Sequence, residues 1–248
     1  MPSKARPEES TNTVGFDPKQ LNGAEQYKLL GGAVVPRPIA LVTTQGSLGR
    51  NAAPFSYFMA IAQDPPMLII SIGTREEEGE FALGDGILGE KDTLRNLRET
   101  SEFVVHIVNN AMAQRMNVCA LQYPPGVDEI ERAGFRTAPS TIVRPPRLID
   151  CPVQLECKVD RIIAVGRTPY HVVIGEVVYM HFARELVNDR LHVDWRRLDP
   201  IARLARPGVY LRSTDHFSMP TPKDRAPGEQ RATAGGDTIA VADKERSK

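Results

Sequence analysis

The run VQLECKVDRI at positions 153–162 and the run YHVVIGEVVYMHF at 170–182 decide the fold class of this chain. In the first run apolar residues occupy every second position from Val153 to Val159, which is the period of a strand with one face toward solvent. A short turn with the sequence GRTP at 166–169 separates the two runs. The sequence therefore predicts a pair of neighbouring antiparallel strands.

Other apolar runs along the chain also have the length of strands, while helical spacing is less frequent. Pro36 and Pro38 stand before a β-branched run, as prolines do at the start or edge of a strand. Many short strands with few helices between them favour a mainly β fold, an antiparallel barrel with a few peripheral helices. Besides the pair above, strands are predicted at 33–44, 67–74 and 102–108, and helices at 92–100, 111–121 and 198–206.

Composition divides the 248 residues into one folded body and two polar ends. Residues 1–14 are polar and predict a flexible N-terminus. Residues 220–248 are rich in Pro, Gly, Ala and charge and contain no aromatic residue, so they predict a disordered tail. A single domain is expected over 15–219.

Charge and motif content exclude several classes of function. The 31 basic and 31 acidic residues balance, so no basic excess favours binding to nucleic acid or to a membrane surface. No stretch approaches the ~20 apolar residues of a membrane span and the opening residues lack the apolar core of a signal peptide, so a cytoplasmic protein is expected. Three cysteines without a CxxC pair predict reduced thiols. The five histidines lack metal-ligand spacing, so no metal site is predicted. No GxSxG elbow or cysteine-nucleophile signature appears, so no catalytic side chain is predicted.

Two short stretches carry residue types that suit a ligand. The stretch NAAPFSYF at 51–58 combines small residues, an amide, a hydroxyl and aromatic rings, which suit a flat ligand with a polar edge. A tightly packed buried turn explains the same composition. The stretch KDTLRN at 91–96 predicts a helix that begins after Asp92 as N-cap, where backbone N–H groups and Lys91 would bind an anion. A capped surface helix with a solvated lysine is the simpler explanation of that stretch taken alone.

The order of motifs along the chain resembles the flavin reductase-like family, the FMN-binding split barrels. The motifs are PRPIALVTT, NAAPFSYF, DPP, KDTLRN, EFVVHIV and IGEVVYMHF, in that order. The resemblance as a whole extends over residues 31–210. The resemblance implies a six-stranded antiparallel split barrel, a homodimer, and FMN bound near the dimer interface with NAD(P)H as co-substrate. It implies that Thr43, Thr44, Asn51, Ala52, Ala53 and Ser56 line the isoalloxazine and ribityl groups, and that Lys91, Asp92 and Thr93, with Arg37, match the phosphate end.

The sequence departs from the family pattern at two places. Residues 75–90 are longer than the usual connection before KDT, which suggests a lid, a dimer element or an inert insertion. Reductases of two-component monooxygenases often carry Gly-Asp-His before the late strand, where the His holds the nicotinamide. Here Thr168-Pro169-Tyr170 takes that place and His171 follows one position later, which turns its side chain to the opposite face of a strand.

The resemblance implies an oxidoreductase, and an NAD(P)H:flavin reductase is the function it favours. Such an enzyme passes hydride from the nicotinamide to FMN and supplies a partner oxygenase or another electron acceptor. A tightly bound FMN electron carrier of the flavoredoxin type, without a nicotinamide site, is the alternative that the missing Gly-Asp-His favours. A non-catalytic barrel that serves only as an interaction module is the third hypothesis.

Overall fold

The computed structural model describes residues 6–7, 12–74, 89–167, 170–205 and 208–219. Nearly all of the predicted insertion at 75–90 lies outside these residues. So do the predicted tail at 220–248, most of the predicted flexible N-terminus, and Thr168 with Pro169.

The chain divides into two compact units, and the described strands and helices belong to the first of them, 1–215. In the second, 216–248, the structure describes only 216–219, which are exposed and without regular secondary structure. The strands of the first unit are β1 Arg6–Pro7, β2 Val14–Gly15, β3 Arg37–Pro38, β4 Ala40–Gly46, β5 Gly49–Phe55, β6 Phe58–Gln63, β7 Pro66–Ile72, β8 Glu102–Ile107, β9 Thr137–Ala138, β10 Arg147–Leu148, β11 Val153–Val165, β12 Tyr170–Phe182, β13 Ile201–Ala205 and β14 Val209–Arg212. Its α-helices are α1 Gly23–Ala33, α2 Asp92–Thr100, α3 Ala113–Val118, α4 Glu129–Arg132 and α5 Trp195–Leu198, with 3₁₀ segments at Pro18–Gln20, Asn110–Met112 and Arg184–Leu186.

One antiparallel sheet dominates the first unit and confirms the predicted mainly β fold. Among the described residues it contains seven strands in the order β5-β4-β8-β11-β12-β7-β6, one more than the resemblance implies. The predicted pairing of the two decisive runs is confirmed, because β11 and β12 pair antiparallel from Val153 opposite Phe182 to Val165 opposite Tyr170. A second, three-stranded sheet joins β14, β13 and β3.

The solvent face predicted for β11 is wrong at its first half. Glu156 is fully buried, and its carboxylate accepts hydrogen bonds from the backbone N–H groups of Thr141, Ile142 and Val143. Its side chain also lies 2.6 Å from His181 Nε2. The segment that precedes β10 therefore covers this face, which strand periodicity alone does not reveal.

The predicted helix at 198–206 is also wrong. The helix α5 ends at Leu198, and the chain then enters β13, which pairs with β3 and β14. The predicted helix at 111–121 is confirmed in part, as a 3₁₀ turn followed by the six-residue α3.

Apolar clusters cover both faces of the sheet, which explains why β4 is buried along most of its length. Leu41 belongs to one cluster with Met112 and Met116, while Val42 belongs to the other with Phe103. Because neighbouring strand residues point to opposite faces, β4 separates the two cores. The helix α2 packs on the second core through its buried leucines.

Candidate functional site

A cavity of about 500 Å³ lies where the end of β5 and the start of α2 meet the segment that follows α3. This volume is within the usual range of small-molecule sites, ~300–1,000 Å³. The cavity brings the two stretches of ligand-suited residues, 51–58 and 91–96, to one place. The sequence-predicted residues that line it are Asn51, Ala53, Ser56, Lys91, Asp92 and Thr93.

Asn51 stands in the polar wall of the cavity with both ends of its amide engaged. Its Nδ2 donates to the two carboxylate oxygens of Glu129 at 3.2 and 3.1 Å. Its Oδ1 accepts from Thr93 Oγ1 at 2.7 Å. These bonds join β5, α2 and α4, so the orientation of the Asn51 amide is fixed before any ligand enters.

Thr43, Thr44 and Ala52 lie behind the wall and do not line the cavity. Thr43 Oγ1 donates to the carbonyl of Pro146 at 2.8 Å. Thr44 Oγ1 accepts from Asn96 Nδ2 at 3.1 Å and lies 3.4 Å from Asn51 Oδ1. Ala52 is fully buried. The structure gives these residues a supporting position one layer from the cavity.

Arg37 also lies outside the cavity lining. Its guanidinium is buried and donates to the backbone carbonyls of Gly31 and Val34. The same group lies over the ring of Tyr57, 5.9 Å from its centroid. Its charge is thus positioned behind the aromatic part of the wall.

The start of α2 differs from the sequence prediction by one residue. Lys91 occupies the N-cap position, and its carbonyl accepts from the N–H groups of Leu94 and Arg95. Asp92 is the first helical residue, and its Oδ2 accepts from Gly126 N at 2.9 Å. The prediction of Asp92 as the N-cap is therefore wrong, because its carboxylate accepts a hydrogen bond from the Gly126 backbone instead of capping the helix. The half-buried Lys91 places its Nζ 6.0 Å from the ring centroid of Phe55.

Glu129 is a cavity residue that the sequence did not reveal. It is 7% exposed and begins the short helix α4, which Asp128 caps through hydrogen bonds to Ile130 N and Glu131 N. Burial, with a smaller contribution from the charge of Asp92, raises the pKa of Glu129 to about 7. Hydrogen bonds from Ala52 N and from the Asn51 amide oppose that rise. Glu129 therefore titrates near neutral pH.

Tyrosine rings form a second wall of the cavity. The rings of Tyr27 and Tyr57 have centroids 6.4 Å apart, and those of Tyr57 and Tyr170 are 6.2 Å apart. Gly73 also lines the cavity, and a Cβ at that position would lie 3.0 Å from the ring of Tyr170. The glycine thus allows the Tyr170 ring to lie against the end of β7.

His171, the nicotinamide candidate, does not line the cavity, whereas its neighbour Tyr170 does. Consecutive residues of a strand point to opposite faces, so the two side chains separate at the start of β12. His171 pairs across the sheet with Ile72 and Ala164, and its Nδ1 is buried without a hydrogen-bond partner among the described residues.

Metal and thiol chemistry find no support in the part of the chain that the structure describes. No group of three or more His, Cys, Asp or Glu residues there could hold a metal ion. The three cysteines are buried and unpaired. Cys119 lines the cavity, but burial and the Glu129 carboxylate raise the pKa of its thiol to about 12, so it stays a neutral thiol. Within the same described residues no helix is long and apolar enough to cross a membrane.

Comparison with known proteins identifies the family to which this chain belongs. The family model of the flavin reductase like domain matches residues 32–202. The chain belongs to this family. Among solved structures, it is similar to nitrilotriacetate monooxygenase component B from Bacillus cereus, with a TM-score of 0.76, 31% identity, and coverage of 85% of this chain and 100% of that one.

Two further solved structures extend the likeness. The 2-nitrobenzoate 2-nitroreductase NbaA of Pseudomonas fluorescens has a TM-score of 0.72 and 34% identity, covering 87% of this chain and 100% of that one. A flavin reductase with a split barrel domain from Shewanella frigidimarina has a TM-score of 0.67 at 15% identity, covering 82% and 96%, and shares the fold. This flavin reductase-like chain is therefore a split barrel, as the sequence predicts.

The residues around the cavity fit the flavin that the family implies. A flavin combines a flat apolar ring, a polar edge and, in FMN, a phosphate. The cavity offers tyrosine rings and the small side chain of Ala53 for the ring, hydroxyl and amide groups for the edge, and Lys91 at a helix start for an anion.

The cavity residues that sequence reasoning missed come from segments far from the two stretches of ligand-suited residues. Tyr27 lies on α1, which was not predicted, and Glu129 lies in a charged segment, PPGVDEIERAG, that has the composition of a surface loop. Tyr170 could have been predicted as a cavity residue, because it stands where the family pattern has the histidine that is missing here. Its aromatic ring is the signal that could have identified it.

Proposed function

We propose that this flavin reductase-like protein is an FMN-binding oxidoreductase that accepts electrons from NAD(P)H. The observation that carries the proposal is one cavity that combines a helix start bearing Lys91, the Asn51 polar wall and the tyrosine wall. Bound FMN would supply the redox chemistry, so the protein has to bind and orient the ring rather than provide a strong catalytic acid or base.

Each wall has a distinct task in this proposal. Lys91 and the first turn of α2 bind the phosphate, since a fixed ammonium and helical N–H groups both favour an anion. Ser56 and the Asn51 network orient the polar edge of the ring. Ala53 lets the ring approach the backbone of β5 closely, and Thr43, Thr44 and Ala52 support that strand from behind.

The assembly and the acceptor are further parts of the proposal. Edge strand β6 exposes Met59 (61%) and Ile61 (46%), a surface that a second copy of the chain would cover. We therefore propose a homodimer. The buried, unpaired cysteines support a cytoplasmic location for it. The likeness to component B of a monooxygenase supports a partner oxygenase as the acceptor of the electrons, and the likeness to a nitroreductase supports a small aromatic acceptor.

An FMN electron carrier without a nicotinamide site is the second candidate. Tyr170 lines the cavity at the position that a nicotinamide-binding histidine holds in related reductases, and its ring packs against Gly73. A tyrosine ring there can stack on a nicotinamide or replace it, and the two outcomes correspond to the two functions.

Anaerobic reduction separates the two candidates. FMN-loaded protein is mixed under argon with NADH or with NADPH, and the visible flavin absorbance is followed. A reductase loses that absorbance with one of the two nucleotides, much faster than the same nucleotide reduces free FMN in solution. A carrier keeps its absorbance with both nucleotides and loses it only with a chemical reductant such as dithionite. Failure of the protein to bind FMN would refute both.

A further inference from the structure

Glu129 is a buried acid on the wall of the cavity, and its surroundings are predominantly negative or neutral. Its carboxylate oxygens accept from Asn51 Nδ2 and from Ala52 N, both neutral donors. From the start of α2, Asp92 faces it with a second buried carboxylate, and that charge raises the pKa of Glu129. Cys119 contributes a thiol that donates to the Glu129 backbone carbonyl at 3.7 Å.

Two cations lie in this region, and each has an anionic partner available. Arg50 forms an ion pair with Asp128, the cap of α4, through its Nε at 2.9 Å. Lys91 lines the cavity and, on the function proposed above, binds the FMN phosphate. Flavin binding therefore leaves the Glu129 carboxylate with less compensation than before, because the ring displaces water that solvates it, and Asn51 and Ala52 remain as its neutral donors.

We propose that Glu129 binds a proton when a flavin fills the cavity, so that flavin binding and protonation of this carboxyl are coupled. This inference rests on the proposed function and goes beyond it by assigning a proton-binding group to the flavin site. A neutral carboxyl can keep both hydrogen bonds from β5 and has an O–H to donate, whereas a carboxylate can only accept. The coupled proton therefore lies next to the Asn51 amide, in the polar wall of the cavity.

The size of the coupling depends on how far flavin raises the pKa of Glu129. Glu129 has a pKa of about 7 before flavin binds. Each unit by which flavin raises that pKa makes the dissociation constant about tenfold larger at high pH than at low pH. For a rise of one unit, binding takes up about half a proton near pH 7.5. Affinity is constant below pH 6 and falls through the range 7 to 9.

The test titrates the protein with riboflavin and with FMN at pH 6 and pH 8.5, and follows quenching of flavin fluorescence. Riboflavin is included because it lacks the phosphate, which itself titrates near pH ~6. For wild type we expect riboflavin to bind about sevenfold more weakly at pH 8.5 than at pH 6 if flavin raises the pKa of Glu129 by one unit. FMN should show a smaller decrease, because its phosphate becomes a dianion over the same range and binds better beside Lys91. In Glu129→Gln, where the amide oxygen still accepts from Ala52 N, riboflavin affinity should be equal at the two pH values. Glu131→Gln, an exposed acid on the same helix, should behave as wild type.

Calorimetry of the wild-type protein gives an independent measurement that does not depend on the folding of any variant. Riboflavin binding at pH 7.5 is measured in two buffers of different ionisation enthalpy, which yields the number of protons exchanged. Uptake of about half a proton supports the proposal. Zero exchange, or proton release with tighter binding at high pH, overturns it and leaves the proposed function intact. Absence of flavin binding at every pH would instead refute the proposed function.

Discussion

Removal of the Lys91 ammonium should weaken FMN binding while riboflavin binding stays nearly unchanged. Lys91→Ala deletes the cationic group at the anion end of the cavity. The helix start is preserved, because α2 uses the Lys91 carbonyl for Leu94 and Arg95, and the Lys91 side chain makes no capping hydrogen bond. The substitution therefore removes a charge from the site without removing a cap.

The magnitude follows from the environment of Lys91. A charge-assisted hydrogen bond contributes about 1.5–3 kcal/mol, and a half-buried ammonium belongs in the lower part of that range. FMN should then bind about 10- to 40-fold more weakly to the variant. Riboflavin has no phosphate, so its dissociation constant should change less than about twofold, which is about 0.4 kcal/mol.

Fluorescence quenching with both flavins measures the difference, with Lys19→Ala as a control that removes one exposed positive charge outside the cavity. The control should bind both flavins as wild type does. Equal losses for FMN and riboflavin, or no loss for either, would refute the assignment of the phosphate to the start of α2.

Gly175→Ala should destabilise the fold by about 1–3 kcal/mol in urea denaturation, because the added Cβ would lie 2.5 Å from Cζ of the buried Phe103. An unchanged midpoint would show that the ring can move aside. In the Glu129→Gln variant, the free energy of unfolding should fall by about 2 kcal/mol from pH 7 to pH 5. This variant is used because protonation of the wild-type Glu129 carboxyl would stabilise the fold over the same pH range. The cause of the fall is His106, whose pKa burial lowers to about 4, so that between pH 6.5 and 4 the unfolded chain binds a proton there that the folded chain does not. Adding His106→Gln should abolish the fall in stability. A fall that persists would show that another group causes it. FMN-loaded protein should sediment as a dimer at micromolar concentration, since edge strand β6 exposes apolar side chains; a monomer mass would contradict the homodimer.

Much of the fold could be predicted because the apolar residues within each strand follow a pattern that is visible in the sequence. The limits of β12 match the predicted run, and β7, β8 and β11 match theirs within a few residues. The covered face of β11 could not be predicted, since a polar residue such as Glu156 has the same pattern in solvent as under a loop that supplies N–H donors. The segment 198–206 was predicted as a helix because its leucines and isoleucine stand three residues apart. It forms β13 instead, because it pairs with the adjacent β14 and with β3, which is distant in sequence.

The site was predictable only where its residues are contiguous in sequence. Asn51, Ala53 and Ser56 share one stretch, and Lys91 and Thr93 share another, and the structure brings both to one cavity. Glu129 could not be found in this way, because its importance depends on burial by tertiary contacts with β5.

The central claim, that the cavity between β5 and α2 is a flavin site, is tested most directly by titrating flavin-free protein with FMN. We compare wild type with Ala53→Leu, which would fill the cavity wall, and with Ala111→Leu, an exposed alanine outside the cavity. We predict saturable binding of one FMN per chain to wild type and to Ala111→Leu, and at least about tenfold weaker binding to Ala53→Leu, a loss of about 1.4 kcal/mol. Wild-type protein that does not saturate, or a folded Ala53→Leu variant with wild-type affinity, would contradict it.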